Sequence, residues 1–373
     1  MPRNSHLLID ASQAIVREGD VGDRAAGWHV RLRTCRGGRS EGVRVVELDN
    51  GHMAIDVLPT RGMGIWRVRR GEKTLGWQSP AREPVHPAFV PLFEPSGLGW
   101  LDGFNELLCR CGLESNGPPE FDEQGRLLRP LHGRIANTPA TRVELIIDDA
   151  GQLTLRGIVE ESRFHFQSLR LATSITTAFG SNEFTWTDEV ENIGGRPATL
   201  QMLYHFNLGQ PLLRPGARIT APVATVAPLT QVAAEAGVAT WNIMPPPRPG
   251  SAEQVYCLDL AANDSGETRV LVSGLTDDGA VGLRFNKRTL PCFTVWRNTP
   301  AEIDGYVLGI EPGTNFPNPR AIEERQGRVL VLKPGERWHG AVSATWHHDA
   351  QAIADEEDAI RVILGRREPE LSV

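Results

Sequence analysis

Apolar residues recur at every second position along most of this chain, and that one period commits it to extended strands more firmly than any motif does. "TRVELIIDD" (141–149) and "GQLTLRGIVEES" (151–162) read as consecutive strands joined at Asp149-Ala150-Gly151-Gln152. "SLRLATSITTAFGSNEFTWTDEVEN" (168–192) reads as a hairpin. Leu169, Leu171 and Ile175 alternate up to a Gly180-Ser181-Asn182 turn, and Phe184, Trp186 and Val190 alternate after it. The densest basic run, "RVRRGEK" (67–73), reads as a solvated hairpin turning at Gly71. Two stretches break the pattern towards helix, "IDASQAIVREG" near the start and "DAQAIADEEDAIRVILGRR" near the end. In the second, Ile353, Ala354, Ile360, Val362 and Ile363 stand among charges, as in an amphipathic helix laid on the outside of a sheet.

The 38 glycines and 27 prolines are spread along the whole chain, as many short strands with many turns require. "ESNGPPEFDEQGRLLRPLHG" (114–133) and "NIMPPPRPGSAEQ" (242–254) read as long loops, which in a compact protein usually carry function or move. Neither a linker nor a short repeat interrupts residues 1–373, so one all-β domain is expected: antiparallel, two sheets packed face to face, with loops at the rims.

A net charge of −7 argues against nucleic acid or an anionic membrane as a partner, because both select a basic surface. No apolar run approaches the ~18 residues of a bilayer span, and no signal peptide is expected. Five cysteines (35, 109, 111, 257, 292) at spacings unlike a disulfide framework point to reduced thiols and a cytoplasmic setting. Cys109 and Cys111 fall on one side of a strand, where a buried pair is favoured over zinc. The G-x-S-x-G elbow, the Walker loop and the helix-opening G-x-G-x-x-G are absent. A metal could draw on His132, His205, Glu106 and Glu311, but their spacing carries no ligand signature, and no cofactor is called for.

"LYHFNLGQPLL" (203–213) asks why so apolar a strand holds a histidine and an asparagine. Alternation puts Leu200, Met202, Tyr204 and Phe206 on a core face, and Gln201, Leu203, His205 and Asn207 on the other. Two further islands combine ionisable groups with turn residues: "RPLHGRIANTPA" (129–140), with His132-Gly133, and "GYVLGIEPGTNFPNP" (305–319), with Glu311. Glu311 shares its face with Val307 and Gly309, so its carboxyl stands beside a gap, while Leu308 and Ile310 face the other way.

In order and residue type these islands resemble the galactose mutarotase (aldose 1-epimerase) superfamily. The matching features are the HG histidine, the segment "VENIGGRPATLQMLYHFNL" (190–208) and the glutamate of Glu311-Pro312. "PTRGMGI" (59–65) and "LLCRCGL" (107–113) resemble its DUF4432 branch. The resemblance implies an antiparallel β-supersandwich with minor peripheral helices and a small-molecule sugar on its concave face. It implies Glu311 as the general base at the anomeric hydroxyl, His205 as the general acid at the ring oxygen, and His132 as a hydroxyl ligand. Such a pair is expected on opposite sides of one small ring, supplied by two distant strands.

Around that core the sequence nominates further sugar contacts. Arg61 precedes glycines that permit close approach. Asn105, Glu106 and Arg110 lie in "WLDGFNELLCRCGLESNG" (100–117), with Glu106 and Arg110 on one strand side, either as site groups or as a buried ion pair. Asn207 follows His205, and Glu253 and Gln254 stand where the family keeps a loop aspartate. Trp296 and Arg297 of "TVWRNT" face opposite ways, so one of them can line the groove.

The function expected is anomer interconversion. An aldose–ketose isomerase or C2-epimerase on the same site is the alternative that Glu106 keeps alive, and a non-catalytic sugar-binding protein is a third reading. A polysaccharide-processing enzyme would want a tyrosine base, and of Tyr204, Tyr256 and Tyr306 the first faces the core. A phosphosugar would want Arg61, Arg110, Arg134 and Arg297 gathered at the groove. A homodimer is left open.

Overall fold

The computed structural model describes residues 4–22, 27–366 and 370–371. The alternating stretches become strands as expected. Arg142–Ile147 pairs antiparallel with Gln152–Ser162, which pairs with Ser168–Ala178, which pairs with Glu183–Asn192. In Gln152–Ser162 the inward residues Leu153, Leu155 and Val159 are fully buried while their neighbours face out. The basic run is the hairpin of strands Gly64–Arg70 and Lys73–Leu75.

Among the described residues the strands form a ten-stranded sheet, a fourteen-stranded sheet and one isolated two-stranded hairpin. The ten-stranded sheet contains the 142–192 meander and the long strand Arg337–His347. The fourteen-stranded sheet contains, side by side, Gln254–Leu260, Cys292–Asn298, Val307–Gly313, Ala198–Gly209 and Leu108–Leu113. Among the described residues the strands pair antiparallel, save a short parallel pairing between Val223–Pro228 and Glu370–Leu371. One apolar core lies between the sheets. Trp186 of the smaller sheet stacks at 5.9 Å on Phe206 of the larger, and Leu200, Met202 and Tyr204 lie in the same core.

The central strands of the larger sheet are buried on both faces. Every residue of Leu108–Leu113 and Val307–Gly313 is buried, because loops roof the side turned away from the core. Trp100, Phe104, Cys109, Cys111, Ala136 and Leu203 pack there as a second apolar cluster. All five cysteines are free, and no helix among the described residues is long and apolar enough to cross a membrane.

The C-terminal helix spans Ala350–Leu364, capped by the Asp349 carboxylate on the Gln351 N–H at 3.1 Å and ended at Gly365. It lies on the outer face of the smaller sheet, with Ile360 and Ile353 packed on Leu271 and Ala280. Val362, counted towards its apolar face, is 81% exposed.

The helix expected near the N-terminus does not form. Asn4–Asp10 is a strand, Ala11–Gln13 a single 3-10 turn, and Ile15–Val16 a second strand paired back on the first. The Asp10 carboxylate takes the Ser12 N–H at 3.0 Å, a local bond that competes with helix. The free edge of Arg142–Ile147 then offers the first strand a full ladder.

Candidate functional site

His205 and Glu311 come from adjacent strands, not distant ones. Ala198–Gly209 and Val307–Gly313 pair with Phe206 opposite Ile310 and Asn207 opposite Gly309, which brings His205 and Glu311 side by side on the roofed face. His205 Nε2 lies 3.2 Å from Glu311 Oε1. The expectation of an acid and a base flanking a ring-sized gap is therefore corrected: the two groups touch. The space left by the missing side chain of Gly309 is filled by the carboxyl itself, since a Cβ there would stand 2.5 Å from Glu311 Oε1.

Asn207 fixes the tautomer of His205. Its amide nitrogen donates to the carbonyls of Glu106 (3.0 Å) and His205 (3.1 Å), so its oxygen must face the ring. That oxygen lies 2.6 Å from Nδ1, which therefore carries the proton and leaves Nε2 as a lone pair towards Glu311. Burial pushes His205 down to about 3, helped by neighbouring His132. Burial, with the Glu253 carboxylate nearby, pushes Glu311 well above the usual carboxylate range. Although the pair lies within ion-pair distance, both shifts favour the neutral forms, a protonated carboxyl beside an unprotonated Nε2.

His132 completes the cluster, its ring 5.6 Å from that of His205. It sits at a left-handed corner (φ 57°) followed by Gly133, where a Cβ would meet the carbonyls of Gly112 and Ser115 at 2.3 Å. Its Nδ1 donates to the Asn116 carbonyl at 2.8 Å, leaving Nε2 as an acceptor. The Asn116 side chain in turn pairs with Asn315 (3.0 and 2.8 Å), just past the glutamate strand. Burial holds His132 at about 4.

These groups open into a cavity of about 390 Å³, within the ~300–1,000 Å³ typical of small-molecule sites. Trp100, Phe104 and Trp296 line it with His132, His205 and Glu311, and Glu253 stands exposed at its mouth. Glu253 is held by the Trp296 indole N–H at 2.7 Å. The two long loops thus serve the cavity. Residues 114–133, which include the small hairpin Glu120–Phe121 with Leu127–Arg129, give Pro118, Pro119, Leu131 and His132; residues 242–254 give Glu253.

The remaining nominated residues are not brought to it. Arg61 is 1% exposed and spent on Glu106 (2.6 Å), Asn137 (2.7 Å) and the carbonyls of Val85 and Gly103. Glu106 is that arginine's partner, not that of Arg110. Arg110 points between the sheets, where its guanidinium grips Asp188 (Nη2–Oδ1 2.9 Å) and Thr173, and Tyr204 donates its hydroxyl to the same carboxylate. Asn105 donates to the Ala81 carbonyl, and Arg297 donates to the Tyr256 hydroxyl, Gln254 and two carbonyls, while its neighbour Trp296 faces the cavity. None of these five side chains lines the cavity, and the Arg61 and Arg110 guanidiniums are committed to carboxylates within the fold.

Burial pushes the thiols of Cys109 and Cys111 up, so neither is a ready thiolate. Among the described residues no three His, Cys, Asp or Glu side chains are arranged to hold a metal. The sequence reading missed Trp100, Phe104 and the Asn116–Asn315 pair. Aromatic residues in a glycine-rich loop were the one visible sign of the first two.

A family model described as "Domain of unknown function (DUF4432)" matches residues 40–345. Among solved structures the chain is similar to a proposed aldose 1-epimerase from Klebsiella pneumoniae. Identity is 32%, covering 100% of this chain and 98% of that one, with a TM-score of 0.94. A galactose mutarotase-like protein from Clostridium acetobutylicum shares the fold at 14% identity, covering 86% of this chain and 99% of that one, with a TM-score of 0.60. A proposed aldose 1-epimerase from Escherichia coli does so at 17%, covering 82% and 99%, with a TM-score of 0.54. No curated protein matches the chain.

Proposed function

The chain belongs to the DUF4432 family of galactose mutarotase-like proteins, and from that premise we propose that it is an isomerase of the aldose 1-epimerase type. Its reaction interconverts the anomers of a monosaccharide held in the cavity. The observation that carries this reading is the 3.2 Å contact of His205 Nε2 with Glu311 Oε1 on the cavity floor. Ring opening removes a proton from the anomeric hydroxyl and adds one to the ring oxygen. Both oxygens are bonded to the same carbon, so a base and an acid in mutual contact can serve them together.

The family resemblance makes Glu311 the base and His205 the acid. The resting proton favours the converse first step. Nε2 of His205 takes the anomeric proton, and the Glu311 carboxyl gives its own to the ring oxygen as the C1–O bond breaks. The open-chain aldehyde rotates about C1–C2. Closure on the other face reverses both transfers, so the pair ends each turnover holding the one proton it began with. His132 Nε2 is available to accept from a sugar hydroxyl.

Polarimetry on freshly dissolved α-sugars tests the reading. Glu311→Gln is expected to lower kcat/KM by ~10²–10⁴-fold, the usual worth of one acid–base group. Equal rates for wild type and Glu311→Gln on every sugar would leave a binding protein or another reaction. The main support for an isomerase or C2-epimerase was Glu106, and its pairing with Arg61 away from the cavity removes that support. Proton NMR in heavy water is expected to record anomer exchange without deuterium at C2; deuterium there would restore the alternative.

A further inference from the structure

The chemical make-up of the cavity wall constrains which sugar the proposed isomerase accepts. No lysine or arginine lines it, and the four candidate arginines are all engaged elsewhere. Arg61 pairs with Glu106, and Arg110 with Asp188. Arg134 lies between Glu114 and Glu161 at 3.6 Å from each, and Arg297 is bonded to Tyr256. The charged side chain at the mouth is a carboxylate, Glu253. A phosphate, sulfate or carboxylate on the substrate would meet like charge there and find no cation.

The polar groups are also confined to one part of the wall. His132, His205 and Glu311 form one contiguous cluster, with Trp296 against His205 at 5.2 Å carrying Glu253. The Thr230 hydroxyl is already engaged by the N–H groups of Ala233 and Val255. Elsewhere the lining is Leu98, Leu101, Leu131, Pro118, Pro119 and Leu229, side chains that offer a hydroxyl nothing. Leu98 and Leu101 remain 44% and 49% exposed, an apolar lip continuous with the cavity. The buried Trp100 indole N–H, which lacks a partner, and the Thr230 O–H, whose oxygen accepts from those two N–H groups, are the further side-chain donors on the wall.

We infer that the substrate is an uncharged deoxy sugar: its hydroxyl-bearing anomeric edge meets the histidine–glutamate cluster, and a methyl or methylene takes the place of a hydroxyl against the leucine–proline wall. This rests on the mutarotase reading. A fully hydroxylated hexose would press at least one hydroxyl onto that wall without a partner, at a cost of about tenfold or more in binding. A deoxy sugar meets the wall with carbon.

The test uses matched pairs with wild-type protein: D-galactose with D-fucose, D-glucose with D-quinovose, and L-mannose with L-rhamnose. Galacturonate and glucose 6-phosphate supply the anions. Anomer exchange by NMR gives kcat/KM, and thermal shift gives binding. At least one deoxy member is expected to exceed its hydroxylated partner about tenfold or more, with both anions at background. If the hydroxylated members are faster throughout, or an anion turns over as well as its neutral parent, the inference is overturned while the mutarotase reading stands. If no sugar turns over, that reading fails, and thermal shift then decides the substrate class. Preferential stabilisation by a deoxy member supports it; preference for an anion or a hydroxylated hexose, or no binding, overturns it.

Discussion

A methyl group at position 309 would land 2.5 Å from Glu311 Oε1 and 3.1 Å from the ring of Trp296, so the carboxyl occupies the space that Gly309 leaves open. Gly309→Ala is expected to lower kcat/KM at least tenfold at a stability cost of about 1–3 kcal/mol, read by polarimetry and urea unfolding. Wild-type turnover would show that the carboxyl's placement there does not matter. Asn207, expected from sequence as a sugar contact, acts one step back by holding Nδ1–H of His205. In Asn207→Ala the expected loss falls on kcat more than on KM, and nitrogen NMR of the imidazole should record a mixture of tautomers where wild type has one. An unchanged tautomer would remove the positioning role. Arg61 illustrates what a residue letter withholds. Its glycine neighbours were visible, but the Glu106 carboxylate and the Asn137 amide that consume its donors arrive from 45 and 76 residues away.

The strand Leu108–Leu113 shows the same contrast at the level of the element. Its alternation was legible: Cys109 and Cys111 face the roofed side, and Leu108 and Arg110 face the sheet-to-sheet core. Its partners were not, because Asp188 belongs to the other sheet. Removing that carboxylate strands a guanidinium that is 1% exposed. Asp188→Ala is therefore expected to cost about 3–5 kcal/mol in urea unfolding, and Arg110→Met with Asp188→Leu to recover most of it. A loss below about 1 kcal/mol for the single change would show that the pair does not tie the sheets. Strands and the C-terminal helix were readable because period is local. The N-terminal segment was misread because its helix-like spacing lost to a ladder that only the fold provides.

At the scale of the whole molecule, the two buried histidines of the cavity contribute to how stability responds to pH. His132 (about 4) and His205 (about 3) lie below their ~6.5 in an unfolded chain, so the folded state binds fewer protons. Their contribution is fully present above ~6.5 and is lost as the pH falls through 6.5 towards 4 and 3, on the order of a few kcal/mol. His132→Asn is expected to flatten the fall in Tm between pH 7 and 4; an unchanged slope would mean that the ring is solvated in the fold. Glu311 has the opposite sign. Its carboxyl is raised, so its contribution is present below the ordinary carboxylate pKa and fades as the pH climbs. Glu311→Gln should therefore unfold at a higher temperature than wild type at pH 8 while losing turnover, and a lower Tm would contradict the neutral assignment. The two-sheet plan was legible across the chain, whereas the cavity walls, assembled from loops without a period, were not. That division has a consequence for how such molecules diverge. Insertions or exchanges in the two proline-rich crossings can retailor which guest is admitted without disturbing the ladder beneath, which alone places the proton-handling couple.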